Sequence, residues 1–209
     1  MDRVKKIVAL LAKEFPEPRL ELDYRSPLEL LVATILAAQC TDERVNQVTA
    51  TLFKKYRTAA DFAKANPKTF EREIRSTGFF RNKTKSVLAC CQALVERHGG
   101  KAPDNLDDLV RLPGVGRKTA NVVLGNAFGQ QAIAVDTHVA RVSARLGLVK
   151  EGLTPDEIEQ ALCRQIPKAK WTLTNRRLVL HGRYVCMAKK PKCPDCPLNK
   201  VCPWTDKTV

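Results

Sequence analysis

A lysine, an aspartate and four cysteines are the residues of this 209-residue chain best placed by type and spacing to do chemistry. Lys118 lies in Leu112-Pro113-Gly114-Val115-Gly116-Arg117-Lys118-Thr119-Ala120, where a glycine-bearing turn feeds into the helical spacing Ala120, Val123, Leu124, Ala127, Phe128. Gly114 and Gly116 are expected to take positive φ and to leave room for close approach. Such a turn presents backbone N–H groups at the positive end of a helix dipole, which makes an anion site. A free lysine titrates near ~10.4, so a nucleophilic amine needs help at neutral pH. The helix start, the adjacent Arg117 and burial against a bound base would each disfavour the ammonium. So placed, the amine could attack C1′ of a nucleotide, expel the base and form a Schiff base whose iminium permits β-elimination of the 3′ phosphate. The simpler role open to Lys118 is a phosphate contact.

Asp136, in Ile133-Ala134-Val135-Asp136-Thr137-His138, precedes the apolar stripe Val139, Val142, Leu146. It can cap that helix. Its carboxylate could also stabilise positive charge developing at a sugar and relay protons.

Cys186, Cys193, Cys196 and Cys202 follow C-x6-C-x2-C-x5-C, with Pro191, Pro194, Pro197 and Pro203 stiffening the path. Loops this short let four thiolates converge on one centre, and the spacing alone admits a tetrahedral zinc or an iron–sulfur cluster. Lys189, Lys190 and Lys192 fill the first gap and suit phosphate contacts, a solvated charge run being the alternative. Cys40, Cys90, Cys91 and Cys163 lie on or beside helical stripes and read as buried, inert thiols.

The rest of the chain must position these groups. It carries 36 Lys and Arg against 22 Asp and Glu, a net +14 spread along its length. That favours a polyanionic partner, nucleic acid before membrane, over a merely solubilising surface. No apolar run reaches the ~18 residues of a membrane span, and the first residues lack a signal-peptide pattern. A cytoplasmic protein with reduced or metal-bound cysteines is expected.

The periodic segments are helical. Val4, Ile7, Val8 and Leu11 form a first stripe. Ser26-Pro27-Leu28-Glu29 reads as a capping box with proline at the first helical position, and Leu28, Leu31, Val32, Ile35 and Leu36 line the face behind it. Gln39, a polar residue, takes the next position on that face. Thr41 caps a helix with Val45, Val48, Leu52, Phe53 and Tyr56 inward, and Asn66-Pro67 opens a short one. A longer helix runs through Val87, Leu88, Cys91, Leu94, Val95 and His98 to the stop Gly99-Gly100. Thr154-Pro155-Asp156-Glu157 repeats the capping box. Only Ala132 to Val135 reads as a possible strand, so the expected class is all-α. His98, His138 and His181 read as capping or packing residues.

Taken together, Leu36-Ala37-Ala38-Gln39, the hairpin around Lys118, Val135-Asp136-Thr137-His138, His181-Gly182-Arg183-Tyr184 and the four ordered cysteines resemble the endonuclease III family of DNA glycosylases. The resemblance implies two helical lobes with an active-site cleft between them. One is a six-helix domain over 22–131 containing the helix–hairpin–helix, and the other a 4Fe–4S cluster domain made of 1–21 and 132–209. It implies that Lys118 is the Schiff-base nucleophile, Asp136 the essential acid and Gln39 the filler of the gap left by an extruded nucleotide. Gly114, Gly116, Arg117, Lys189, Lys190 and Lys192 would contact DNA, and the four cysteines would hold a 4Fe–4S cluster that keeps the basic loop in place.

The implied function is a base-excision-repair glycosylase with AP lyase activity. It would remove oxidised or damaged pyrimidines from double-stranded DNA and nick 3′ to the abasic site. A monomer in a bacterial cytoplasm, associated with the nucleoid through DNA, is expected. Two departures stand out: Ala37 where the family commonly has Ser, and Phe79 where it has an aliphatic wedge. An adenine mismatch glycosylase lacks the nucleophilic lysine and generally carries an extra C-terminal domain, whereas this chain ends seven residues after Cys202. A structural DNA-binding protein and an electron-transfer protein are the non-glycosylase alternatives.

Overall fold

The computed structural model describes residues 3–208, and among them the regular structure is helical, with no strand. Residues 132–135 belong to no regular element. The chain divides into two compact units, Leu20–Gly129 and a discontinuous one of Met1–Arg19 with Gln130–Val209. No helix among the described residues is long and apolar enough to cross a membrane.

The discontinuous unit contains α1 (Arg3–Glu14), α9 (Thr137–Arg145), α10 (Pro155–Gln165) and α11 (Trp171–Tyr184). The continuous unit contains α2 (Pro27–Leu36), α3 (Asp42–Lys55), α4 (Ala59–Ala63), α5 (Pro67–Glu73), α6 (Phe80–His98), α7 (Leu106–Val110) and α8 (Arg117–Ala127).

In the continuous unit α2 is the innermost element, buried from Leu30 to Leu36. Ser26 caps it by accepting from the Glu29 N–H at 3.2 Å, and Pro27 sits where its missing N–H leaves nothing unsatisfied. The reciprocal half of the expected capping box is absent. Glu29 instead accepts from the Arg25 N–H at 2.7 Å and pairs with the Arg25 guanidinium at 2.9 Å, because that charge draws the carboxylate one residue past the cap. Thr41 caps α3, and Asn66 with Pro67 opens α5. Tyr56, Phe62 and Phe70 pack as an aromatic trio with centroids 5.1–6.1 Å apart, in the offset and edge arrangements that ring quadrupoles favour.

The 19-residue α6 buries Val87, Cys90, Cys91, Ala93 and Leu94. Val95, expected inward, is 39% exposed; the buried stripe runs through Ala93 and Leu94 instead. Gly99 closes α6 in the left-handed conformation, φ 59°, which glycine adopts without a Cβ penalty.

The discontinuous unit is built on a core including Ile7, Leu11, Val139, Val142, Ile158, Leu162 and Leu178. α9 and α11 meet at Gly182, where a Cβ would lie 2.8 Å from the His138 Cβ. The N-terminal helix is bound in by charge-assisted bonds to main-chain carbonyls, which are stronger than neutral ones. Arg177 Nε donates to Phe15 O at 2.9 Å, and the Arg3 guanidinium donates to Leu146 O and Gly147 O at 2.7 Å each. Thr154 and Glu157 complete both halves of a capping box on α10.

Candidate functional site

The hairpin around Lys118 is α7, a tight turn and α8. Leu112 and Val115 are buried and anchor the turn from beneath. Gly114 has φ 75°, and a Cβ there would lie 2.6 Å from the Ser86 Cβ on α6. Both the conformation and the crowding require glycine. Gly116 differs from expectation: its φ is −89° and its ψ 172°, so it is extended, and nothing lies within 4 Å of where a Cβ would stand. Its contribution is the missing side chain. Gly116 is the N-cap of α8 and supplies no side-chain acceptor, so no side chain caps the helix start, where Arg117 and Lys118 are exposed. Backbone donors at such a terminus attract anions.

Gln39 and Phe79 stand in two separate turns of the same unit. The α2 helix ends at Leu36, so Gln39 does not continue its apolar face; it is exposed beyond the helix with φ 53°. Phe79 is 62% exposed with φ 46°, immediately before α6. Non-glycine residues in this region are strained and cluster at functional sites. Close to the second turn is a residue whose role the sequence does not suggest. Lys83, on the first turn of α6, is 4% exposed and donates to Thr77 O at 2.6 Å. Burial lowers its pKa from the ordinary lysine value, while the Cys40 thiol acts in the opposite sense.

Asp136 belongs to the discontinuous unit and is the N-cap of α9. Its Oδ1 accepts from the Val139 N–H at 2.8 Å, and Oδ2 has no protein hydrogen-bond partner among the described residues. One oxygen therefore holds the helix while the other is not engaged in the cap.

Cys186, Cys193, Cys196 and Cys202 line one recess in the discontinuous unit, together with Arg145, His181 and Trp204. All four are free thiols, partly buried. The donor set is four soft sulfurs lining one mostly apolar recess, which fits thiolate coordination of iron. Among the described residues no three His, Cys, Asp or Glu are gathered as a single ion would require.

The loop between the first two cysteines is held from α9. Arg141 donates to Cys186 O at 3.1 Å and to Gly182 O at 2.8 Å, and Arg145 donates to Met187 O at 2.8 Å and Ala188 O at 3.2 Å. Arg145 also lies 3.9 Å from the Trp204 ring centroid. Lys189, Lys190 and Lys192 are exposed on this loop, with no carboxylate at ion-pair distance among the described residues. His181, read as a packing residue, is 1% exposed, bonded through Nδ1 to Glu14 Oε2 at 2.8 Å, and has Nε2 3.7 Å from Cys196 Sγ. Its position on the helix that delivers Cys186 was the available signal. For Arg141 and Arg145 the signal was their four-residue spacing on the helix that Asp136 opens.

The remaining cysteines divide. Cys90 and Cys91 are buried, and burial pushes the Cys90 thiol up to about 12 and Cys91 higher still. Cys40 and Cys163 are only partly buried, because each lies at the margin of its helical segment.

Residues 32–168 match the HhH-GPD superfamily base excision DNA repair protein, and residues 186–202 match the iron–sulfur binding domain of endonuclease III. An endonuclease III of Synechocystis sp. is 48% identical over 203 residues, spanning 97% of this chain and 92% of that protein. A solved non-covalent endonuclease III–DNA complex superposes with TM-score 0.93 at 45% identity, covering 97% of this chain and 96% of that one. A trapped endonuclease III–DNA covalent intermediate does so with TM-score 0.93 at 46% identity, covering 97% of each. The chain belongs to the endonuclease III family. It is a base-excision DNA glycosylase with AP lyase activity that binds damaged duplex DNA and carries a 4Fe–4S cluster.

Proposed function

We propose that Lys118 is the nucleophile with which this enzyme excises oxidised or otherwise damaged pyrimidines and then cuts the strand. The uncapped start of α8, with an exposed lysine in its first turn, carries this reading. A phosphate on the backbone donors of that helix start would bring the sugar of an extruded nucleotide to the amine. The Nζ lone pair attacks C1′, the bond from C1′ to the base breaks, and the base leaves with a proton. The C1′–O4′ bond then breaks, with a proton to O4′, and the resulting ring-opened iminium acidifies C2′–H. Loss of that proton expels the 3′ phosphate as the C3′–O bond breaks, and water releases the lysine.

Asp136 stabilises the cationic sugar and moves protons through Oδ2, the oxygen that capping does not use. Gln39 and Phe79 fill the space vacated in the duplex. Their exposure and left-handed backbones support that assignment. Gly114, Gly116 and Arg117 take the phosphate of the damaged strand, and Lys189, Lys190 and Lys192 take others. Cys186, Cys193, Cys196 and Cys202 are the residues that would hold the cluster, which supplies an anchor for their loop. Duplex DNA of a bacterial nucleoid, in the cytoplasm, is the proposed setting.

The test is Lys118→Gln with borohydride present, on a panel of duplexes each carrying one damaged pyrimidine. Covalent trapping and excision should vanish while DNA binding persists. A borohydride-stabilised adduct in this variant would remove Lys118 from the role.

A further inference from the structure

Lys83 is an ammonium in an interior that gives it little. It is 4% exposed, its one hydrogen bond among the described residues is to Thr77 O at 2.6 Å, and no carboxylate pairs with it. Burying a charge against a single carbonyl is costly. By packing alone, an unbranched apolar side chain of similar length would serve the core better.

Its bonding partners indicate what the charge accomplishes. The Lys83 backbone N–H donates to Phe79 O at 3.0 Å, while its side chain returns to Thr77 O. One residue therefore fixes the carbonyls on both sides of Gly78. Thr77 is itself 2% exposed, with its hydroxyl donating to Ile74 O at 2.8 Å. The segment so pinned contains two successive residues at positive φ, Gly78 at 70° and Phe79 at 46°. The second is an aromatic residue held in a strained backbone and yet left exposed.

We propose that Lys83 is a positioning residue for base extrusion, its ammonium holding the Thr77 carbonyl so that Phe79 is presented to the duplex in its strained conformation. This rests on the wedge roles assigned to Gln39 and Phe79 above. A methionine at the same place could fill the volume and could not hold the carbonyl.

The experiment compares the cluster-loaded Lys83→Met variant with wild type on two substrates. One is a duplex carrying a damaged pyrimidine beside 2-aminopurine, whose fluorescence rises as stacking is lost. The other is a single-stranded abasic oligonucleotide, which requires no wedge. The thermal midpoint should not fall. The fluorescence rise and single-turnover excision on the duplex should slow by roughly tenfold to a hundredfold, as for displacement of a positioning group. Cleavage of the single-stranded substrate should keep its wild-type rate. Wild-type duplex excision, or an equal loss on both substrates, would overturn the proposal. Gln39→Ala and Phe79→Ala are measured in parallel. If they slow the duplex reaction and Lys83→Met does not, the Lys83 inference alone fails; if they leave it unchanged, the wedge reading fails and takes this one with it.

Discussion

Asp136 caps a helix through one oxygen and, in the function proposed above, serves the chemistry through the other, and substitutions can separate the two. Asn caps a helix about as well as Asp, so Asp136→Asn should keep the wild-type unfolding midpoint while single-turnover excision collapses. Asp136→Ala should lose the same activity and, in addition, about 0.5–2 kcal/mol of stability from the missing cap. Equal stability losses in both variants, measured by urea unfolding, would contradict this division. The two hairpin glycines separate in a similar way. Gly114→Ala meets Ser86 and forces a left-handed alanine, at a cost of about 1–2 kcal/mol before any clash. Gly116→Ala enters open space at an ordinary φ, so it should fold normally yet bind DNA more weakly, because the methyl stands where a phosphate would approach. Normal folding of Gly114→Ala would show that the turn can reshape itself.

At the level of single elements, most of the all-α architecture was legible because caps and stripes are local signals. Thr41, Asn66 and Thr154 start helices in the structure as they do in the sequence. Gln39 reads in the sequence as a continuation of a helical face, because the termination of α2 at Leu36 leaves no proline or glycine behind it. The pinning of Phe79 by Lys83 was invisible for a different reason: a buried lysine looks like a surface lysine until its helix is packed. The capping boxes give a pH prediction. The Thr58 and Arg57 N–H groups, and then the Thr58 hydroxyl, hold the Asp61 carboxyl below the usual carboxylate range. Glu157 is lowered by the Thr154 hydroxyl and then by its N–H. A pKa lower in the folded than in the unfolded state stabilises fully above the ordinary carboxylate value of ~4 and is lost as pH falls through the lower folded value. Glu157→Gln should therefore flatten the acid limb of a stability–pH curve. A limb as steep as wild type would mean that other carboxylates control it.

For the molecule as a whole, the question is how +14 of net charge is divided between general attraction and chemistry. The cluster loop offers three exposed lysines on a path tied to α9 by Arg141 and Arg145. Replacing Lys189, Lys190 and Lys192 with Ala should weaken binding to damaged and undamaged duplexes alike. The slope of log K against log salt should become shallower by about 0.9 for each phosphate no longer neutralised, up to roughly three phosphates. Single-turnover excision at saturating enzyme should hardly change, in contrast to Asp136→Asn, which should leave the salt slope intact. An unchanged slope in the triple variant would remove the loop from the DNA interface.

The discontinuity of one unit also bears on how the polypeptide is made. Residues 20–129 form an uninterrupted compact unit, so during vectorial synthesis every segment they need is present before α9 has been translated. Its complement cannot close then, because its opening helix must wait for partners such as Arg177 and His181 that are translated more than 160 residues later. The four cysteines come later still. Iron–sulfur insertion thus coincides with the last stage of assembly, when a nascent chain already possesses a folded hairpin and a stranded amphipathic α1. Shortage of iron should accordingly yield a half-matured protein, protease-resistant in its middle and cleavable at both flanks, rather than a chain unfolded throughout.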